Sequence, residues 1–264
     1  ILLMRLKTEH EQRVNIENMN QQKINFFTYI SHDLKTPLTL ILSPLRRLIQ
    51  QPQISNNDKE KLEVIYRNAN RMNYLINELL TFSKIEMKQM RISVRKGDIM
   101  HFLEELSHIF DIVAGEREID FIVNLEDTEE EVWFSPSKLE RILYNLLSNA
   151  FKYTQPGGYV KLSAKLIKEE KGTFVQISVK DNGRGIPKEA QEQIFESYYQ
   201  VEKRDHREGF GLGLSLTRSL IHMHKGEIRV ESEINKGSDF IVTLNVSEDA
   251  YNPDERSSEN ITTE

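Results

Sequence analysis

Asn145, Asn149 and Lys152 stand at steps of four and three, so a helix through them sets two amide oxygens and a cation on neighbouring faces. That set suits a metal-bound polyphosphate. Magnesium prefers oxygen ligands and keeps several waters, so one uncharged amide together with phosphate oxygens is enough to hold it. The plainer use of the same asparagines is to fill polar gaps along a helix. Asp181-Asn182-Gly183-Arg184-Gly185-Ile186-Pro187 follows the alternating Val175, Ile177 and Val179, which puts a carboxylate at the end of a buried strand. Asp-Asn-Gly ordinarily marks a hairpin, but Gly185 and Pro187 break any returning strand. A carboxylate held there can accept from an exocyclic amine such as that of adenine, and the glycines let a ligand approach the backbone.

Gly209-Phe210-Gly211-Leu212-Gly213-Leu214 leads directly into a helix, where uncapped backbone donors and the helix dipole favour phosphate. The third glycine comes one position too early for the dinucleotide fingerprint and no strand precedes it, so that reading fails. Between the two glycine stretches lie Ile194-Phe195, Tyr198-Tyr199 and the basic Lys203, Arg204 and Arg207, a length that suits a mobile lid. A further reactive candidate, His32, sits in Ser31-His32-Asp33-Leu34-Lys35-Thr36-Pro37. Phe27, Ile30, Leu34, Leu38, Ile41, Leu45 and Leu48 recur at helical steps and fall on one stripe, with His32 roughly opposite. An outward histidine is free for chemistry or is an arbitrary surface residue; the downstream motifs decide.

The elements that must position these groups follow from periodicity. Residues 5–50 read as one long helix bent by Pro37 and Pro44, and a connector at 51–56 leads to a second helix capped by Asn57 or Asp58 and ending near Lys88. Its seam is Leu62, Ile65, Ala69, Met72, Ile76 and Leu79. Two such helices cannot close a core alone, whereas two copies make a four-helix bundle, so a homodimer is expected. Beyond it the pattern predicts helices at 99–113, 138–152 and 212–224, and strands at 119–125, 131–134, 159–167, 174–180, 227–232 and 239–246. The domains expected are a signal-transmitting helix at 1–20, the helical hairpin at 21–90, a linker at 91–98, a two-layer α/β sandwich at 99–247, and a polar tail or linker at 248–264.

The chain has 264 residues, room for about two domains, and its net charge of -6 argues against direct nucleic-acid binding. The absence of Cys excludes disulfides and thiol catalysis. No run reaches the roughly 20 apolar residues of a membrane span. Ile1-Leu2-Leu3-Met4 followed by Arg5 and Lys7 has the character of the last turn of such a span with its charges on the cytoplasmic side, and equally that of an accidental apolar start.

Taken together, these stretches resemble the sensor histidine kinases of two-component systems. His32 to Pro37 is similar to their H-box, Asn145 to Thr154 to the N-box, Asp181 to Pro187 to the first glycine box, Ile194 to Gln200 to the F-box, Gly209 to Leu214 to the second glycine box, and Gly237-Ser238 to the third. The chain departs from the usual pattern at Ser135 and Ser137, where acidic residues are common, and at Phe210, where Thr is common. The resemblance, closest to Bacteroidetes-type hybrid sensors, implies a dimeric phosphotransfer hairpin followed by an ATP-binding domain of the Bergerat (GHKL) fold. It implies ATP and Mg2+ as cofactors, Asn149 as the metal ligand, Asn145 and Lys152 at the phosphates, Asp181 at adenine and Tyr153 beside the base or ribose. Gly183, Gly185, Ile186, Gly209, Phe210, Gly211, Leu212, Gly213 and Leu214 would complete the nucleotide site. It further implies that Asp33 orients and deprotonates His32, that a response-regulator receiver domain is the partner, and that this is the cytoplasmic portion of an inner-membrane-anchored sensor. Thr36, four residues after His32 on the same outward face, is the candidate for dephosphorylating that regulator; bonding back along the helix is its plainer use. A catalytically silent dimeric scaffold and a GHKL-type ATPase are the alternatives.

Overall fold

The structure is a computed structural model and describes residues 34–35, 37–50, 55–87, 89–128, 130–200 and 211–257. His32, Asp33, Thr36, Gly209 and Phe210 lie outside the described residues, as does the expected signal-transmitting helix. The chain divides into two compact units that part between Met90 and Arg91.

In the first unit, helix α1 (residues 37–49) is followed by α2 (Asn56–Glu86). The cap of α2 is Ser55 rather than Asn57 or Asp58: its hydroxyl accepts from the Asp58 N–H at 3.2 Å and donates to the Asp58 carboxylate at 2.8 Å. The hydroxyl one turn earlier reaches the free N–H groups of the first turn, so the helix starts sooner than the acidic residues suggest. Leu38, Ala69 and Ile76 form a small buried cluster, with Leu42 packed against it. Ile65 and Met72, on the same expected seam, stay about half exposed in one copy.

The second unit is built on a five-stranded sheet in the order β2-β4-β5-β7-β6, comprising β2 (Asp120–Leu125), β4 (Tyr159–Glu169), β5 (Gly172–Asp181), β6 (Glu227–Glu233) and β7 (Gly237–Asn245). β2 runs parallel to β4 and the other pairs are antiparallel. A two-stranded ladder pairs β1 (Arg95–Asp98) with β3 (Glu131–Phe134). Val160, Leu162 and Ala164 on β4, Val175, Ile177 and Val179 on β5, and Phe240, Val242 and Leu244 on β7 are buried at alternate positions, which defines one covered face. The helices α3 (Ile99–Arg117), α4 (Pro136–Tyr153) and α5 (Gly213–Met223) bury Leu103, Phe110, Leu146, Leu147, Leu216 and Leu220. The α/β two-layer sandwich expected from the sequence is present.

Two expected boundaries differ. Residues 91–98 are no linker: Ile92 and Val94 are buried and Arg95–Asp98 is a ladder strand. Nor are residues 248–257 a loose tail, because Tyr251 is buried in a cluster with Ile92 and Val94, against which Trp133, Met223 and Ala250 pack. Both stretches are mostly polar in sequence, and their few apolar residues become a core only when the two are brought together.

His224, at the end of α5, shows how tightly this unit is closed. It is fully buried, its Nδ1 lies 3.0 Å from the Leu220 carbonyl, and its Nε2 lies 3.2 Å from the Ser135 N–H at the start of α4. The amide must donate, so Nε2 accepts and the ring proton resides on Nδ1. Burial, aided by the nearby Lys138 charge and opposed by the Leu220 bond, lowers its pKa from 6.5 to about 4. A depressed folded-state pKa means that the unfolded chain takes up the proton first as pH falls. The stabilisation is therefore present above about pH 6.5 and is lost progressively towards pH 4. We expect the sheet unit to lose about 2 kcal/mol between pH 7 and pH 5 through this one group. Urea unfolding at the two values checks it: His224→Gln should remove that share of the slope, and an unchanged slope would refute the assignment.

Candidate nucleotide site

The site residues come from the edges of the packing described above. Leu139, Ile142, Leu143, Leu146, Leu147, Ala150 and Phe151 form the buried stripe of α4 at steps of three and four. Asn145, Asn149 and Lys152 run beside that stripe as a half-buried line. At its start, Asn145 donates through Nδ2 to the Thr217 hydroxyl at 2.7 Å, and Thr217 donates to the Gly213 carbonyl at 3.0 Å. A Cβ on Gly213 would stand only 2.7 Å from Asn145 Oδ1, so glycine is what lets the first turn of α5 abut α4. Asn149 makes no side-chain hydrogen bond to a described residue and is available to a ligand.

At the other end of the line the Lys152 ammonium donates to the Tyr153 hydroxyl at 2.9 Å and sits 4.6 Å from the centre of that ring. The Arg184 guanidinium lies 4.3 Å from the same centre. The Tyr153 carbonyl accepts from the Arg184 N–H at 3.4 Å, which joins the end of α4 to the loop after β5. Along α4, Asn145 and Tyr153 are roughly 12 Å apart, eight residues at about 1.5 Å each.

Asp181 ends β5. With a period of two it shares the inward face of Val175, Ile177 and Val179, and it is 4% exposed. Its Oδ1 accepts from the Gly183 N–H at 2.8 Å. Desolvation raises its pKa above the ordinary carboxylate range; the backbone donors of Gly183 and Ser238 oppose that rise and the Asp239 charge adds to it. The loop then turns at Gly185, at φ +70°, against the Glu233 backbone, and Ile186 N–H donates to the Ser232 hydroxyl at 2.8 Å.

Gly211 is also left-handed, at φ +71°, with its carbonyl accepting from Tyr198 N–H at 3.0 Å. Leu212 is buried as the N-cap of α5 and offers no side-chain cap, so among the described residues the donors of the first turn have no side-chain cap; Leu214 is half-buried. Ile194 and Phe195 differ from their expected place in a lid. Both are buried, and the Phe195 ring meets Phe240 edge-on at 6.4 Å and lies below the Arg218 guanidinium. Their size and apolarity make them core.

The structure thus brings Asn145 to Gly213, and Tyr153 with Lys152 to the Asp181–Ile186 loop. Sequence reasoning missed Thr217 altogether, and named Arg184 and Ser238 only inside glycine boxes, without a role in the site. Ser238 stands directly opposite Asp181 in the β5–β7 register. Thr217 carries no signal without the fold. A shallow groove of about 300 Å³ lined by Asn124, Lys165, Gln176, Ser178 and neighbours shares no residue with this site.

Residues 134–248 match the family model of the histidine kinase-, DNA gyrase B- and HSP90-like ATPases. Residues 22–88 match the His Kinase A (phospho-acceptor) domain, and with both parts in one chain the protein belongs to the histidine kinases. Its similar relatives include Histidine kinase P4 of Formosa agariphila, 36% identical over 91% of this chain and 18% of that protein. Sensor histidine kinase WalK of Bacillus subtilis is 33% identical over 88% of this chain and 38% of that protein. Among solved structures, full-length ShkA superposes with a TM-score of 0.71 at 25% identity, covering 84% of this chain and 45% of that one. The chain therefore spans less than half the length of the relatives named here. No helix among the described residues is long and apolar enough to cross a membrane.

Gly185→Ala tests the turn after β5. Its left-handed φ and the Glu233 backbone against the missing Cβ should together cost about 1–3 kcal/mol in urea unfolding. A neutral substitution would show that the loop relaxes freely.

Proposed function

We propose that this chain is the kinase core of a two-component sensor. ATP binds along α4, its γ-phosphoryl group passes to a ring nitrogen of His32, and the phosphoryl group then passes to an aspartate of a response-regulator receiver domain. The observation that carries the reading is the line from Asn145 to Tyr153. It has a buried carboxylate, Asp181, at one end and the uncapped start of α5 at the other. Roughly 12 Å of helix separates them, enough for a nucleoside at one end and its phosphates at the other. In line with it, the ShkA structure similar to this chain is a complex with AMPPNP.

Each residue then has a task. Asp181 accepts from the exocyclic amine of adenine beside Gly183, Gly185 and Ile186, while Tyr153 borders the base or ribose. Asn145, Lys152 and the turn of Gly209 to Leu214 meet the phosphates. The half-buried amide of Asn149, without a partner among the described residues, fits a magnesium ion completed by phosphate oxygens and water. That ion would neutralise charge on the transferred group. In the transfer the bond from the γ-phosphorus to ADP breaks, a nitrogen–phosphorus bond forms, and Asp33 takes the imidazole proton.

The hairpin supplies the acceptor and the dimer. One copy leaves Leu34, Ile41, Leu48, Ile65 and Met72 about half exposed, which suits a second copy completing a four-helix bundle. The chain is read as the cytoplasmic portion of an inner-membrane-anchored sensor. Radiolabel from the γ-position of ATP, trapped as an acid-labile, base-stable adduct, tests the reading. His32→Ala should abolish the label with dimer and nucleotide binding intact, and persistent label would sink the assignment. Asn149→Ala should slow labelling about 100-fold or more with folding unchanged.

Regulator dephosphorylation provides a separate test. A Thr36 hydroxyl one turn above His32 can hold a water in line with the regulator's aspartyl phosphate. Thr36→Ala should cut dephosphorylation about 10-fold to 1,000-fold while His32 labelling stays near normal. If both reactions fell together, or neither changed, Thr36 would only be bonding back along its helix.

A further inference from the structure

The segment after β7 has a role that the nucleotide site does not use. Residues 249–257 lie beyond the ATPase family match and 91–94 lie between the two matches, yet the structure joins them. Val94 N–H donates to the Glu255 carbonyl and Ser257 N–H donates to the Val94 carbonyl, both at 2.8 Å, around a parallel Val94·Arg256 bridge. Tyr251, 2% exposed, anchors the segment: its ring joins the Ile92–Val94 cluster and its hydroxyl donates to the Asn245 carbonyl at 2.5 Å, with the His224 carbonyl at 3.4 Å. Arg256 reinforces this, with Nη1 2.6 Å from the Glu248 carboxylate and its guanidinium 5.9 Å from the Trp133 ring centre.

The other side of the join is equally fixed. Beyond α2, Gln89 and Met90 both donate from their backbone N–H groups to the Lys84 carbonyl, at 2.9 and 3.2 Å. Chain up to Met90 therefore belongs to the helical unit, and chain from the buried Ile92 belongs to the sheet unit. Among the described residues this leaves Arg91 alone between them. Were residues 248–257 to let go, the next fixed residue would be Arg95 at the start of β1. The joint would grow from one residue to the four at 91–94, adding about 10 Å of reach at roughly 3.3 Å per residue.

We propose that residues 248–257 are a strap that keeps the joint between the two units to a single residue, with Tyr251 as its positioning residue. Holding the joint short restricts the placements of the nucleotide site to those that two backbone dihedrals allow. Such a restriction raises the fraction of encounters with the acceptor histidine that are productive. Tyr251 touches neither nucleotide nor histidine in this account and acts only through residues 91–94. The consequence for phosphoryl transfer rests on the kinase reading above; the consequence for the joint does not.

Trypsin reads the joint directly and without ATP. The Arg91–Ile92 bond is a cleavage site whose second residue is buried only while the strap holds, so cutting requires local opening. Tyr251→Phe, which keeps the ring and loses the hydroxyl bonds, and Tyr251→Ala should be cut there progressively faster, the latter at least tenfold over wild type by mass spectrometry. A disulfide between Val94→Cys and Arg256→Cys, placed in a chain with no other cysteine, should slow the cut to the wild-type rate or below until it is reduced. Tyr251→Phe should also autophosphorylate about threefold to tenfold more slowly with its KM for ATP unchanged, and the oxidised double-cysteine variant should keep the wild-type rate. Unchanged cleavage at Arg91 in Tyr251→Ala with its circular dichroism intact would overturn the strap. Faster cleavage with an unchanged phosphorylation rate in Tyr251→Phe would overturn its positioning role. Absence of label in the wild type would instead reject the kinase reading.

Discussion

The constraint on which the second unit depends is that one helix and one sheet of different periods must face each other. α4 repeats every 3.6 residues and β5 every two, and each buries its own apolar series against the other. Fully burying a Leu, Ile or Phe side chain is worth about 1.5–3 kcal/mol, against roughly 1 kcal/mol for a net hydrogen bond. The stripe from Leu139 to Phe151 therefore sets the rotation of α4, and the polar residues take the positions that remain. Asn145, Asn149 and Lys152 are on the flank because the core has already claimed the inward positions. Asp181 is the exception: it occupies the last inward place on β5, and burial there is compensated by backbone donors, not by a counter-charge.

That exception gives the site its polarity. A desolvated carboxylate at one end of α4 and uncapped amides at the start of α5 offer an acceptor and a set of donors at opposite ends of one helix. Two cations, those of Lys152 and Arg184, meet the Tyr153 ring, and the Asp181 carboxylate accepts from the Gly183 N–H. Close backbone approach at Gly213 and Gly185 makes this arrangement compact, and a side chain at either place would push apart the elements that carry the donors.

Much of this was legible in the sequence because the relevant signals are local and periodic. The α4 stripe, the alternation before Asp181 and the glycines ahead of α5 each fall within a window of about a dozen residues, and the elements formed where those patterns placed them. What escaped was either short or non-local. Ser55 outcompetes Asn57 and Asp58 as a cap through a geometry that composition does not encode. Ile194 and Phe195 read as part of a lid because the charge around them hid their burial. Residues 91–98 and 248–257 read as linkers since each has too few apolar residues to form a core, and their pairing spans more than 150 positions of sequence.

The Val94·Arg256 bridge also bears on how such a unit travels between proteins. Where the two ends of a folded unit are hydrogen-bonded neighbours, the unit can be spliced into a host loop or removed from it without prising the host apart, because its insertion points are one strand spacing apart. The sheet unit is in this sense a cassette. Such a unit can be joined to a different neighbour on either side with only the few residues at the seam renegotiated.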